Sequence, residues 1–550
     1  MKSTSIKKNI VLLFLFLTIV TLPNWLYFLF SDITHPPKEI IGQIVGSYLV
    51  LLAPFALFAN RYKWYLLFLM IINVVLLPVE LGFFHLYHTR FDFVALTVAL
   101  ETNIEEALGF ISGYEFILIS LIVIHISIMI FLYQKIQIHA TRYLRYIGIL
   151  SLIMVLLLAY RSSKILEQSY GYTLYKNVIT NKSPWLMFRL GYDFGNDKQE
   201  LAKYKHIHSK FSFNAKKLDD IKQLHILVIA ESSRYDHWSI HGYRRKTNPL
   251  LEKQTNLISL SNAITGAGAT NWATPLMITP ATALDFDESI QKHSLIGAYR
   301  EAGYQTYWLS NQDKFPYLRL HADESEHITY LKEYNIHAYD EVLLPKVKSI
   351  LKKKENILIV LHIMGNHWKY DERYPKEFDK FQPSMYHKFV RMDDYQYKKE
   401  IINSYDNSML YTDYFLSQLI DMVKASDMVA TISYVSDHGE NLYDTSKNLF
   451  GHGRTVSRYI NPIPWIFWYS DGYADSYPQK IKNMQKNKDK KISSANNLFA
   501  TILELGEVSY QDLNTSRSIA SSNFEQEKRF VLSGLNPVDY DKEILIREGK

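Results

Sequence analysis

What most constrains this chain is a set of long apolar runs confined to its first 165 residues. A helix crossing a bilayer needs about 20 mostly apolar residues. Five segments meet that requirement: 9–30, 40–59, 64–85, 115–133 and 143–160. The first follows Lys2, Lys7 and Lys8, as a signal peptide would. Pro23, Asn24 and Trp25 then stand where a small-residue cleavage site would be, so the segment reads as an uncleaved helix. Lys and Arg concentrate at the N-terminus, at Arg61 and Lys63, and at Lys135, Arg142 and Arg145. The other two loops carry only Lys38 and Arg90 among several acidic residues. Basic loops stay in the cytoplasm, so five crossings put residue 161 onward outside it.

Between the third and fourth segments, Phe93, Leu96, Leu100 and Ile104 recur at helical spacing, as in an amphipathic helix on the outer membrane surface. Glu80 lies near the outer end of the third segment. An ionisable group there is either functional or snorkels to the interface.

Beyond residue 165 the chain has the charge density of a soluble protein, giving a transmembrane domain over 1–165, a linker over 166–220 and a folded domain over 221–550. Short β-rich runs at Ile226–Ala230, Gln305–Ser310, Ile357–His362, Thr431–Ser436 and Trp465–Tyr469 alternate with helical patterns such as Ser289–Ala302 and Asn403–Ala425. The alternation predicts an α/β sandwich around a mainly parallel sheet. Net charge is only +6, with basic and acidic residues interspersed, so there is no nucleic-acid-binding stripe. Cysteine is absent, which excludes disulfides and thiolate ligands and leaves metal binding to His, Asp, Glu or hydroxyls.

In open α/β sheets, reactive groups collect at the carboxyl ends of strands. Here the first strand runs into Glu231-Ser232-Ser233-Arg234, the third into His362-Ile363-Met364-Gly365-Asn366-His367, and the fourth into Asp437-His438-Gly439-Glu440. His452 follows on the loop Phe450-Gly451-His452-Gly453. Such a set of carboxylates and imidazoles suits zinc, and less well manganese. The segment Thr265–Pro275 adds hydroxyls at Thr265, Thr270 and Thr274 beside small residues. Taken alone, Thr270 is equally a helix N-cap or a nucleophile activated by a metal.

These motifs resemble the phosphoethanolamine transferases of Gram-negative bacteria, in the alkaline phosphatase and sulfatase superfamily. The resemblance rests on Ile229-Ala230-Glu231-Ser232-Ser233-Arg234, on Thr270 five residues before Pro275, on 362–367, on Ser436-Asp437-His438-Gly439-Glu440, and on Tyr405-Asp406-Asn407 with Tyr411-Thr412-Asp413. It implies five membrane helices and a periplasmic catalytic domain of alkaline-phosphatase/sulfatase type, in a monomer of the bacterial inner membrane. It selects Thr270 as nucleophile, held with Glu231, Asp437 and His438 on zinc. His367, His452 and His362 would serve a second metal or the substrate phosphate, so one or two zinc ions are expected. The implied donor is phosphatidylethanolamine, and the acceptor an envelope glycolipid such as lipopolysaccharide core or lipid A. Glu106 matches a residue that meets the lipid donor, whereas the asparagine expected upstream falls at Val98. Lipid A modifiers of the family carry disulfides, which this chain lacks. Two other readings compete: a glycerophosphate transferase of similar topology, and a non-enzymatic sensor or scaffold on the same fold.

The loop charges generate a direct test. A phosphatase fused to the C-terminus is expected to be active, and a reporter that works only in the cytoplasm silent; the opposite pattern would invert the topology.

Overall fold

The computed structural model describes the chain except residues 1, 31–36, 88–90, 92–95, 97–114, 166–168, 170–172, 181, 287–290, 313–315, 332–337, 387, 389, 391–394, 445–448, 454–455, 535 and 548–550. Two compact units emerge, Met1–Gln199 and Glu200–Lys550.

The first unit is helical: Lys2–Phe30, Pro37–Leu52, Tyr62–Tyr87, Glu115–Lys135 and Thr141–Ile165, followed by Trp185–His208, which runs past its boundary. Phe16, Leu17, Leu51, Phe55, Leu66, Leu69, Met129 and Leu132 form its buried core, while many apolar side chains on the same helices stay exposed, as a lipid-facing surface requires. Among the described residues four stretches are long and apolar enough to span a membrane: Lys7–Leu26, Ile40–Phe84, Glu115–Lys135 and Thr141–Lys164. Five separate spans were expected, and the second stretch, at 45 residues, takes in two of them.

The segment expected as one helix over 40–59 is broken. Pro54 lacks an amide proton and disfavours helical geometry in the residue before it. The helix therefore ends at Leu52, and the chain continues as Phe55–Phe58 and a 3-10 turn at Ala59–Arg61. Glu80 does not snorkel: it is buried, and the Ser183 hydroxyl donates to it. Ser183 and Asn24 are joined by two hydrogen bonds, of 3.1 and 3.3 Å. Phe93, Leu100 and Ile104 of the expected amphipathic helix, and Glu106, lie outside the described residues.

The second unit is built on a seven-stranded sheet. In chain order the strands are β1 (Gln223–Ala230), β2 (Leu257–Leu260), β3 (Gln305–Ser310), β4 (His327–Tyr330), β5 (Ile357–His362), β6 (Val429–Ser436) and β7 (Trp465–Tyr469). Their spatial order is β2-β7-β6-β1-β5-β3-β4. β1 pairs in parallel with β5 and β6, and β7 runs antiparallel to both β6 and β2. The central strand β1 is buried throughout, so it reads as an unbroken apolar run. Leu224, Ile226 and Val228 face one core, shared with the long helix Lys398–Lys424; Leu227 and Ile229 face another, shared with the helices Leu295–Glu301 and Ser494–Leu505. The predicted sandwich is therefore present, with helices on both faces.

The 166–220 segment, expected as a linker, contains the whole helix Trp185–His208 and the short strand Lys216–Lys217, which pairs with Val508–Ser509. Phe213 and Ala215 belong to the second core, and their amides donate to Glu301 at 3.1 and 2.9 Å. A fragment starting at residue 200 is expected to fold as a soluble unit. One starting at 221 is expected to lose at least about 2 kcal/mol, since burying a Phe side chain alone contributes about 1.5–3 kcal/mol. Denaturant midpoints of the two fragments measure the difference.

Candidate active site

The register of the central strands positions the chemistry. β1 pairs Ala230 with Ser436 of β6, so Glu231 and Asp437 leave the sheet side by side. Ser232 then turns with φ +56°, a left-handed conformation costing a non-glycine residue about 1–2 kcal/mol. The turn is held on all sides. Ser232 N–H donates to Asp437 Oδ1 at 3.1 Å, its hydroxyl donates to Glu231 Oε1 at 2.9 Å, and its carbonyl accepts from Tyr405 at 2.6 Å.

His438 links the two acids: its Nε2 lies 3.2 Å from Glu231 Oε1 and 3.3 Å from Asp437 Oδ2. Its Nδ1 donates to the Gly439 carbonyl at 2.9 Å, which fixes the tautomer and turns Nε2 toward the carboxylates. Glu231, Asp437 and His438 are all buried. Burial works to raise the Glu231 carboxyl, but the hydrogen bond and charge of His438 hold it well below the usual range. Burial and the neighbouring Glu231 charge push Asp437 up to about 7. Burial opposes charge on His438, yet Asp437 and Glu231 together raise it to about 10.

Thr270 is the first residue of the helix Thr270–Ile278, but it does not cap it. The cap position is Ala269, and the Thr270 hydroxyl donates instead to Glu231 Oε2 at 3.0 Å, with His438 Nε2 3.4 Å away. The rival hydroxyls are engaged or enclosed elsewhere: Thr265 donates to Ala267 O at 3.0 Å, and Thr274 is fully buried with no hydrogen-bond partner for its oxygen among the described residues. The small residues before Thr270 have a packing reason. Gly268 bridges Gly453, and a Cβ there would meet the Gly453 carbonyl at 2.6 Å, so glycine lets the His452 loop cross.

His452 joins Glu231 and His438 in a set whose ligand atoms all lie within 4.8 Å of one another. Its ring is 4.0 Å from that of His438 and 6.2 Å from that of His367, and its Nδ1 is 3.2 Å from both Glu440 oxygens. His367 and His452 are partly exposed, so they form the open side above the buried acids. His367 Nδ1 donates to Trp368 O at 2.6 Å. His362 ends β5, with its Nδ1 3.4 Å from Ser310 Oγ and its ring 5.8 Å from Trp308; burial lowers it to about 4, so it is neutral.

Two residues with no assigned role prove central. Gln312 Nε2 donates to Glu231 Oε2 at 3.2 Å and to Ile363 O at 2.6 Å. It stands two residues beyond β3, so the strand-end rule would have found it. Asp340 accepts from Asn311 Nδ2, Met364 N and Gly365 N, each at 2.9 Å, and so fastens the 362–367 loop. It begins a 3-10 turn far from any strand end, and nothing in the sequence marks it.

The donor set fits zinc. Among the described residues Asp437 Oδ2 is buried with no hydrogen bond, its nearest partner being His438 Nε2 at 3.3 Å, and that nitrogen is turned toward both carboxylates, as a cation between them would require. A zinc ion held by Asp437 and His438 would displace the protons that burial and the acid pair retain on them. Affinity should therefore rise with pH between 6 and 8, by about tenfold per pH unit for each proton displaced. Calorimetric titrations at several pH values measure this; a flat profile would show that these groups do not hold the ion.

Residues 223–508 match the family model for sulfatases. Phosphoethanolamine transferase EptC of Escherichia coli K12 is 26% identical over 521 residues, covering 89% of this chain and 88% of EptC. The C-terminal periplasmic domain of Escherichia coli EptC superposes with a TM-score of 0.54 at 28% identity, covering 60% of this chain and 95% of that domain, and has also been solved in complex with Zn. The integral membrane lipooligosaccharide phosphoethanolamine transferase A of Neisseria meningitidis shares the fold over 91% of this chain and 97% of its own, with a TM-score of 0.64 at 18% identity. The chain thus belongs to the sulfatase family, among the membrane-anchored phosphoethanolamine transferases, and is an enzyme of the transferase type.

Proposed function

We propose that this enzyme takes phosphoethanolamine from phosphatidylethanolamine onto Thr270 and passes it to a cell-envelope glycolipid, lipopolysaccharide core or lipid A. The observation that carries the reading is the Thr270 hydroxyl: buried, freed from helix capping, and directed at Glu231 beside His438. Glu231, Thr270, Asp437 and His438 would hold zinc, with His452 next to them. When bound, zinc supplies positive charge that lowers the pKa of a nearby hydroxyl and offsets charge on phosphate.

Thr270 Oγ attacks the phosphorus, the bond to the diacylglycerol oxygen breaks, and phosphoethanolamine remains on the threonine. The N-terminus of the nine-residue helix Thr270–Ile278 favours the phosphate's negative charge. His367 and His452, on the open side, bind the remaining phosphate oxygens or a second ion. In the second half, an acceptor oxygen displaces Thr270 from phosphorus and the hydroxyl is restored. The lipid donor accounts for the membrane helices. A monomer of the bacterial inner membrane with five crossings and its catalytic domain in the periplasm fits both the loop charges and the periplasmic relatives.

Thr270→Ala is expected to reduce transfer at least roughly 10³-fold, the scale of losing a nucleophile, with fold and zinc content nearly unchanged. Asp437→Ala should lose zinc and activity together. Mass spectrometry of the enzyme held with donor but no acceptor should find phosphoethanolamine on the peptide bearing Thr270. An adduct on Thr265 or Thr274 would reassign the nucleophile, and normal transfer by Thr270→Ala would end the covalent mechanism.

A further inference from the structure

A second group of metal-ligating side chains converges in the Glu200–Lys550 unit and shares no residue with the active site. His208 ends the helix Trp185–His208, His321 lies in the helix Pro316–Ala322, and Glu324 follows in the next turn. All three are buried, and their candidate ligand atoms lie within 4.8 Å of one another. His208 Nε2 and His321 Nδ1 approach the same carboxylate oxygen, Glu324 Oε1, at 2.9 and 3.0 Å. The other oxygen is committed: Oε2 accepts from the Ser294 hydroxyl at 2.9 Å and from Gly297 N–H at 2.8 Å, which fixes the plane of the carboxylate.

Two difficulties arise if only hydrogen bonds operate here. The first is charge. Glu324 is 3% exposed, and no Lys or Arg among the described residues pairs with its carboxylate; Arg300 reaches only its backbone carbonyl. A carboxylate buried this deeply needs a positive charge beside it, and leaving it without one costs several kcal/mol. The second is capacity. Ser294 N–H lies 3.0 Å from both Oε1 and Oε2, so five donors, with this one shared, crowd a carboxylate of about four lone-pair sites. One cation answers both, supplying the charge and replacing two donors with a single centre.

We propose that His208, His321 and Glu324 form a structural zinc site that pins the segment entering this unit to the helix Pro316–Ala322. Two imidazoles and a carboxylate are a zinc donor set, and tetrahedral bonds of about 2.0–2.1 Å set ligand atoms about 3.3 Å apart, against 2.9 and 3.0 Å from Glu324 Oε1 to the two imidazoles here. The hydrogen bonds to Glu324 Oε2 are the outer-shell support that a ligating carboxylate receives. The fourth position falls to water: the neighbouring His293, its ring 4.5 Å from that of His208, is held by the His208 carbonyl at 2.8 Å and by Glu301 at 3.7 Å.

The test uses the full-length protein in detergent. Crystals grown with zinc should show anomalous scattering at the zinc edge between His208 Nε2 and His321 Nδ1, in addition to any at the active site. In parallel, elemental analysis should find one zinc fewer per chain in His321→Ala than in the unaltered protein, whereas Asp437→Ala should keep the ion at this cluster. Absence of anomalous density here in zinc-saturated crystals would overturn the proposal and leave an imidazolium–carboxylate cluster. So would an unchanged zinc count in folded His321→Ala. Should that variant not fold, the scattering from the unaltered protein decides alone.

Discussion

Two carboxylates leave the same end of adjacent parallel strands, and the rest of the site exists to make that tolerable. Glu231 and Asp437 follow the paired residues Ala230 and Ser436 directly, and both are buried. Like charges that close cannot both ionise without compensation. Compensation comes from the His438 imidazole between them, from backbone N–H groups on Asp437 Oδ1, and from Ser232, Gln312 and Thr270 on Glu231. That demand for positive charge at one point is what a cation held by these residues would meet. The same demand draws the Thr270 hydroxyl away from its helix cap toward the acids.

Bringing several strand ends together requires backbones to pass closely. Gly365, at φ +49°, lies so near Glu231 that a Cβ would sit 3.0 Å from the Glu231 carbonyl. Gly268 gives the same clearance to the His452 loop. Asp340, holding Asn311, Met364 and Gly365, fastens the ends of β3 and β5 to each other. The groups that touch reacting atoms are few, and the backbone around them is held by buried polar contacts whose loss would loosen the geometry.

The membrane-anchored unit follows different physics. Its apolar surface is satisfied by lipid rather than by packing, so its buried polar contacts, such as those of Glu80, Ser183 and Asn24, are the features that specify how its segments meet.

The sequence by itself marked the long apolar segments of the N-terminal part, because bilayer thickness imposes a length that composition reveals directly. It also determined the five β runs and the strand-end motifs, because buried parallel strands read as continuous apolar runs and reactive groups follow them at fixed offsets. Glu231, His362, His367, Asp437 and His438 were all visible in this way. Only the tertiary structure decided the rest. It showed that Pro54 breaks the second apolar segment and that the 166–220 region contributes Phe213 to the core. It turned the Thr270 hydroxyl toward Glu231 and those of Thr265 and Thr274 elsewhere. It brought in Gln312 and Asp340, and set His208 against His321 and Glu324, more than a hundred residues further along the chain. The reason is one of range: periodicity and strand-end offsets are local properties of a chain, whereas a hydrogen bond or ligand set is a coincidence in space that the packing of distant segments alone creates.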